Sequence, residues 1–355
     1  MSGLTRTERA LLVCVALLTA AAGVLRYASG VSDVVAFVAA TLALAGGAWV
    51  VSLSVEQVGE RLGPSTTGVM QATVANLPEF FVVIFALNAG QLVVAQTALV
   101  GSVLVNALLV LGLVIIAGAR HARDGVMKFS PRLPNDTATL LLIASFIIAL
   151  VGLANSSHDS ASHHIRTISI ISAVAILFVY GAWLNQYLRS QAASSETGRV
   201  AAPRVSLAVA AGLLVGAGVA SAFVSDWFIH ALTPTIHTLH ISKAFAGLVI
   251  VAIAGNAVEN VAGIVLAHKG RSELAIAVVK NSVGQIAAFL FPLLVLVSLL
   301  TSTTLTFALA PVYTGALIGT AVIIWQITGD GEATVFEGVA LIAAFVILAA
   351  VAAFE

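Results

Sequence analysis

The sequence predicts an all-α polytopic membrane protein. Of its 355 residues, 60% are hydrophobic and only 9% are charged, whereas about a quarter of the residues of a soluble domain are charged. The apolar residues form long stretches, and the short alternating segments of a membrane β-barrel are absent. Because the chain has so little charge and no net charge, a soluble enzyme, a nucleic-acid-binding protein and a disordered scaffold are excluded.

Charged residues, Pro, Gly and Asn divide the chain into about 11 apolar stretches. Each stretch is near or above the roughly 20 residues that a helix needs to cross about 30 Å of hydrocarbon. Since backbone groups in lipid must be hydrogen-bonded within the protein, we expect each stretch to be a transmembrane helix. The stretches cover about residues 8–26, 32–54, 66–88, 91–118, 135–154, 166–188, 203–224, 242–268, 272–298, 302–324 and 333–354.

The loops predict the orientation. When the N-terminus is placed inside, nearly all Lys and Arg residues of the loops fall on the inner side, and Arg26, Arg166 and Lys243 fall outside. Basic loops remain on the cytoplasmic side of a membrane. We therefore expect a cytoplasmic N-terminus, an outer C-terminus and, because no organelle-type leader is visible, a location in the plasma (inner) membrane.

An internal repeat relates the two halves of the chain. Residues 72–111 align with residues 252–291 at an offset of 180, and an odd number of predicted spans separates the two copies, which inverts their topology. The sequence therefore predicts an N-terminal transmembrane helix at 1–31, a first five-helix repeat at 32–188, a cytoplasmic linker at 189–202 and a second five-helix repeat at 203–355. The coincident polar and glycine positions are Asn76/Asn256, Glu79/Glu259, Gly90/Gly270 and Ser102/Ser282.

Two glutamates lie well inside predicted spans. Glu79 is in the third stretch and Glu259 in the eighth, where an ionised carboxylate costs several kcal/mol unless it is paired, hydrated or bound to a cation. Asn76 and Asn256 precede them by three residues and would share their helical face. We therefore expect a site for cations and protons in which both glutamates are Ca²⁺ ligands.

The next span of each repeat adds further oxygen-bearing side chains: Ser102 and Asn106 in the first repeat, Ser282 and Gln285 in the second. No thiol and no imidazole stands at mid-span in these helices of the two repeats, so this ligand set favours Ca²⁺ over Zn²⁺ or Cu⁺. Carboxylates can hold protons once the cation has left. The residues thus predict a secondary antiporter that exchanges Ca²⁺ for H⁺ by alternating access.

At these positions the sequence resembles the calcium/cation antiporter superfamily, and within it the Ca²⁺/H⁺ exchangers. Residues Gly255–Glu259 are similar to the Gly-Asn-Ala-x-Glu core of that family's second repeat, and Asn281–Ile286 to its Gly-Ser-x-x-Gln-Ile. Asn76–Glu79 stands where the first repeat of the family has Asn-Ala-Thr-Glu, and Gly101–Asn106 matches the following helix. The resemblance implies one helix followed by two inverted five-helix repeats.

Three residues are possible modulators of such a site. Asn260 stands where the exchangers commonly have His, and Glu56 ends the second span. Lys280 precedes Ser282 by two residues; its side chain either snorkels to the cytoplasmic interface or pairs with a carboxylate of the site. The Pro78–Glu79 pair also resembles Na⁺/Ca²⁺ exchangers, which keeps coupling to Na⁺, or to another monovalent cation, as the alternative.

Other classes of protein fit the sequence less well. No Walker-type phosphate loop for ATP is visible, so the expected partners are Ca²⁺, protons and the lipid bilayer, with no cofactor and no enzymatic activity. An intramembrane hydrolase would use paired acids, but no zinc motif accompanies the glutamates. A passive channel does not need an inverted repeat with buried titratable ligands. The oligomeric state is left open.

Overall fold

The computed structural model of the chain describes residues 4–62, 70, 74, 76–157, 160–195 and 204–355. Within these residues the chain is helical apart from loops and one two-stranded sheet, which confirms the all-α polytopic class. We number the helices in chain order, with α8 and α9 forming one bent span. They are α1 Arg6–Tyr27, α2 Asp33–Leu62, α3 Leu77–Asn88, α4 Leu92–His121, α5 Arg132–Ser156, α6 Ile165–Ser195, α7 Leu207–Leu239, α8 Lys243–Gly255, α9 Ala257–His268, α10 Ser272–Leu300, α11 Pro311–Thr328 and α12 Val335–Ala353.

Most predicted spans are present as helices long and apolar enough to cross a membrane. In the described ranges nine helices are each long and apolar enough to cross a membrane. The bent pair α8–α9 is long and apolar enough when its two halves are counted as one span. The third predicted span is described only at residues 70 and 74 and from residue 76 onward, where α3 is a shorter apolar helix. The chain is therefore an integral membrane protein built from helices.

The backbone repeats itself at the offset of 180 residues found in the sequence. Helix α3 runs from residue 77 to 88 and α9 from 257 to 268. The turns that follow contain Gly90 with φ +71° and Gly270 with φ +72°, a left-handed conformation that glycine adopts without strain. The next helices, α4 and α10, contain π-helical turns at Val105–Val110 and Ile286–Leu290.

Two predicted boundaries are wrong, and both errors concern polar residues. Helix α7 continues past the predicted end at residue 224, through Ser225 and Asp226, and stops only at Leu239, where His240 takes a left-handed conformation. Conversely, residues 302–310 are not helical, because the Thr-rich segment gives way to a helix only at Pro311, whose fixed φ suits the first helical turn.

The predicted linker 189–202 also begins as helix. Helix α6 continues to Ser195, so the first part of the linker is an extension of α6, and the remainder falls outside the residues that the structure describes. Within the predicted N-terminal segment 1–31 the structure has α1, which begins with a capping box in which Thr5 and Glu8 bond reciprocally.

The chain forms two compact units. The first comprises the described parts of residues 1–89 and 181–241, in which α2 packs along α7 and both contact α1 and α3. The second comprises residues 90–180 and 242–355, and the central span α4 is its most buried helix. Each unit therefore takes segments from both predicted repeats, and the boundaries of the repeats stay a prediction.

A short sheet in the second unit was not predicted. Strand β1, Val126–Lys128, pairs antiparallel with β2, Glu332–Thr334. Met127 is wholly buried and packs on Gly118 of α4. The sheet thus ties the loop after α4 to the loop before α12, at a place where three-residue strands leave no recognisable pattern in the sequence.

Candidate cation-binding site

The bent span α8–α9 breaks at Asn256. The axes of its two halves, Lys243–Gly255 and Glu259–His268, differ by 62°. Asn256 itself leaves the helical conformation, with φ −98° and ψ 9°, and its side chain does not cap α9. The break leaves the side chain of Asn256 for other contacts.

Asn256 joins two polar side chains of α4 in a buried network. Its Nδ2 donates to Ser102 Oγ at 3.0 Å and to the carbonyl of Ala252 at 3.0 Å. Its Oδ1 accepts from Asn106 Nδ2 at 2.9 Å, and the same nitrogen donates to the Ser102 carbonyl at 2.9 Å. All three polar residues are buried. The network links residues about 150 positions apart, two from the first predicted repeat and one from the second.

Two glycines allow the backbones of α4 and α8 to come this close. A Cβ on Gly101 would lie 2.5 Å from Leu248 Cα, and a Cβ on Gly247 would lie 2.9 Å from the Val94 carbonyl and also against Thr97 Oγ1. Such distances are shorter than any Cβ contact that can be accommodated without movement. Because both positions are glycine, the two helices approach closely enough for Ser102 to lie beside Asn256.

Glu259 lies in the first turn of α9. The Ser282 hydroxyl of α10 lies beside its carboxyl group, although this hydroxyl does not reach full hydrogen-bond geometry with any described residue. Helices α9 and α10 pack against each other. The start of a helix presents its amide groups and the positive end of its dipole to an anion, so this position suits a carboxylate that binds a cation and is later released from it.

Several buried oxygens of this unit have no hydrogen-bond donor within the part of the chain that the structure describes. They are Glu259 Oε2, Asn260 Oδ1 and Asn106 Oδ1. A buried polar oxygen without a donor costs about 1–3 kcal/mol, and a hard cation would offset that cost. The second unit therefore contains carboxylate and amide oxygens of the type that Ca²⁺ binds.

The first unit contains the corresponding Asn–Glu pair. Asn76 precedes α3 with φ −87° and ψ 15°, close to the values of Asn256, and Glu79 lies in the first turn after Pro78. Both residues are buried, and α3 packs against α7, where the Ser225 hydroxyl lies 3.5 Å from the Pro78 carbonyl. The sequence placed both asparagines on helical faces with the glutamates; instead, each asparagine stands immediately before its helix.

The remaining predicted residues differ in their surroundings. Gln285 is buried at the end of the α-helical part of α10, immediately before its π turn, and Glu56 is exposed on α2. Lys280 is wholly buried, and its Nζ has no hydrogen-bond partner among the described residues. The snorkelling interpretation of Lys280 is therefore wrong, because its ammonium does not reach the surface.

Gly247, which sequence reasoning missed, could have been found only by pairing it with Gly101.

The family model described as sodium/calcium exchanger protein matches residues 32–185 and 209–354. The chain belongs to the sodium/calcium exchanger protein family. The polar network of Asn256 and the two glutamates, Glu79 and Glu259, lie inside the matched ranges.

Relatives of this exchanger-family chain cover most of its length. It is 32% identical over 294 residues to the Ca²⁺/H⁺ antiporter ChaA of Bacillus subtilis, covering 81% of this chain and 83% of that protein. It is 31% identical over 323 residues to the vacuolar calcium ion transporter of Schizosaccharomyces pombe, covering 88% and 77%. The resemblance to the Ca²⁺/H⁺ exchanger branch is thereby confirmed.

The fold of this exchanger-family chain is also found in solved structures. The structure of native YfkE superposes with a TM-score of 0.79 at 26% identity, covering 97% of this chain and 99% of that one. The likeness extends over essentially the whole chain, including the N-terminal helix α1.

Proposed function

We propose that the chain is a secondary antiporter that exchanges Ca²⁺ for H⁺ by alternating access. The family membership and a relative named as a Ca²⁺/H⁺ antiporter support this proposal. The single observation that carries it is the position of Glu259, which lies in the first turn of a half-helix with an unpartnered carboxylate oxygen among the described residues. Transport, and no chemical conversion of a substrate, is the proposed activity.

Ca²⁺ is the cation that the oxygen donors support. Glu259, Asn106 and Asn260 offer one carboxylate and two amide oxygens that accept no hydrogen bond from the described residues. Neither Cys nor His is among them, so the ligands suit a hard cation better than Zn²⁺ or Cu⁺. Ser282, beside Glu259, supplies a hydroxyl oxygen.

The two glutamates are the proposed carriers of both ions. A buried carboxylate is stable when a cation or a proton compensates its charge, and costly when neither does. Glu79 and Glu259 occupy the same position in their helices, three residues after an asparagine of similar backbone conformation. We propose that each binds Ca²⁺ in one phase of the cycle and a proton in the other.

The topology of the chain in the membrane is also part of the proposal. The two ranges that match the family fall inside the predicted repeats 32–188 and 203–355, and the helix starts, turn glycines and π turns repeat at an offset of 180 residues. We propose two repeats of inverted topology, a cytoplasmic N-terminus, an outer C-terminus and a location in the plasma (inner) membrane.

Ca²⁺ flux into proteoliposomes tests the function. The purified chain is reconstituted, and ⁴⁵Ca²⁺ uptake is measured with an imposed pH gradient at constant Na⁺. We expect uptake that follows the pH gradient and is lost in Glu79→Gln and in Glu259→Gln. Glu332→Gln is the matched control, because Glu332 is an exposed glutamate of strand β2 and its loss should leave the flux unchanged.

The coupling ion is tested by a second gradient. Ca²⁺ uptake driven by a Na⁺ gradient at uniform pH, and insensitive to a pH gradient, would replace H⁺ by Na⁺ as the coupling ion. Uptake that needs neither gradient would indicate a passive channel. A Glu259→Gln variant that takes up Ca²⁺ at the normal rate would remove the proposed role of that carboxylate.

A further inference from the structure

The first unit contains a groove between α1, α2 and α7 that the proposed transport does not use. Its volume is about 750 Å³, and its wall is apolar except for Arg9, Thr19 and Ser221. It opens on the surface of the unit, where Val13 is 60% exposed and Gly216 is also exposed. In a membrane this surface faces lipid, so the occupant of the groove comes from the bilayer or from another protein.

Glycines create the space. A Cβ built on Gly212 or on Gly216 meets no atom within 4 Å, so both positions border open volume. Trp227 also lines the groove, and its ring lies 2.9 Å from where a Cβ of Gly23 would be. The groove is therefore a slot whose lining runs from Arg9 to Trp227.

The length of the slot matches one leaflet of a bilayer. From Arg9 to Ala20, which both line it, α1 rises about 16 Å. Half of the hydrocarbon core of a bilayer measures about 15 Å. An acyl chain that enters beside Arg9 and ends near Trp227 would fill the slot along its axis.

The Arg9 end of the slot carries a positive charge that no carboxylate of the described residues neutralises. Glu8, one residue before Arg9, has other partners. Its Oε1 pairs with Arg204 Nη1 at 2.8 Å, and its Oε2 accepts from the Thr5 amide at 2.7 Å. Among the residues that the structure describes, Arg9 donates only through Nε, to the Leu4 carbonyl at 3.2 Å. Its terminal nitrogens are left for an external anion, and guanidinium groups favour phosphate.

We propose that this slot binds an anionic phospholipid, with one acyl chain between α1, α2 and α7 and the phosphate on Arg9. Basic residues at the end of an apolar crevice between transmembrane helices are the general form of such lipid sites. The bound lipid would contact all three helices, and would therefore stabilise the packing of α1, which buries little of its own surface in the protein.

Thermal unfolding of the full chain in detergent tests the proposal. Phosphatidylglycerol and phosphatidylcholine with identical acyl chains are added separately, with inorganic phosphate as a third addition. We expect phosphatidylglycerol to raise the Tm more than phosphatidylcholine does, because a ligand that binds the folded state stabilises it, and phosphate alone to have no effect.

Two kinds of variant assign the effect to the slot. Gly216→Leu, or Gly212→Leu if the first does not fold, should fill the slot and abolish the response to phosphatidylglycerol. Arg9→Gln should reduce the response to that of phosphatidylcholine, and Arg9→Lys should retain part of it. The controls are Gly315→Leu, whose Cβ also meets nothing within 4 Å, and Arg123→Gln, an exposed arginine of the loop after α4.

Three outcomes would overturn the proposal. Equal responses of the wild type to the two lipids would remove the role of the phosphate. A response that survives in both glycine variants would place the lipid elsewhere. A dimer that forms without lipid and dissociates in Gly216→Leu, measured by light scattering, would show that a second copy of the chain occupies the slot.

Discussion

The side-chain amide of Asn106 donates a hydrogen bond of 2.9 Å to the amide oxygen of Asn256. Asn106 is the second residue of the π turn of α4, and Asn256 stands at the break between two half-helices. The bond holds the non-helical residue of α8–α9 to the neighbouring span α4. It also fixes where α9, and with it Glu259, begins.

Replacement of Asn256 by alanine should therefore cost stability as well as transport. The change removes the acceptor of Asn106 and the donor to Ser102, both buried, and leaving such groups unsatisfied costs about 1–3 kcal/mol. We expect a lower Tm and a reduced Ca²⁺ flux. Asn155→Ala, an exposed asparagine in the last turn of α5, is the control, and equal effects of the two changes would contradict the role of the network.

Gly101→Ala should destabilise the protein by about 1–3 kcal/mol, because an added methyl group would overlap the Leu248 backbone and force α4 and α8 apart. Gly315→Ala is the matched control, since its methyl group meets nothing within 4 Å and alanine is the better helix former. The Tm values of the Gly101→Ala and Gly315→Ala proteins test this prediction. A Gly101→Ala protein as stable as the control would mean that the helices do not approach as closely as described.

Lys280→Met should increase stability. The wholly buried ammonium has no hydrogen-bond partner within the described ranges, and methionine fills a similar volume without that cost; replacing buried charges by apolar groups gains about 1–4 kcal/mol where they are poorly compensated. The exposed Lys243 provides the control variant Lys243→Met. Loss of Tm in Lys280→Met, measured in the same detergent, would show that the ammonium has a partner in the working protein.

Asp124→Asn should leave the Tm at neutral pH almost unchanged. The Lys128 ammonium donates to Asp124 Oδ2 at 2.9 Å and holds the pKa of that carboxyl below its usual value. A lowered pKa in the folded state means that the contribution is present above the unfolded pKa and is lost as the pH falls through the folded pKa. Because both side chains are exposed, water and salt screen the pair.

Thermal unfolding of the wild type and Asp124→Asn, from pH 7 down to about pH 3, measures the contribution of this pair. We expect the two curves to run together within error at physiological salt. A clear gap at pH 7 that closes in acid would show that the loop charge anchors the β1–β2 sheet.

The all-α class and most of the spans were predictable, because hydropathy is a property of the chain alone. The partners of Asn256 were not. Its contact with Asn106 joins residues 150 positions apart and depends on the close approach at Gly101 and Gly247, neither of which can be paired from one sequence. The end of α7 was misplaced because Asp226 and the following polar residues continue as helix.

The equal spacing between the asparagine and the turn glycine in the two segments limits which insertions the chain can tolerate. From Asn76 to the turn at Gly90, and from Asn256 to the turn at Gly270, the residue count is the same, although most of the residues between them differ. One inserted residue would rotate the rest of each half-helix by about 100° and turn the far end away from its neighbours. The two segments therefore differ in most of their residues but have the same length.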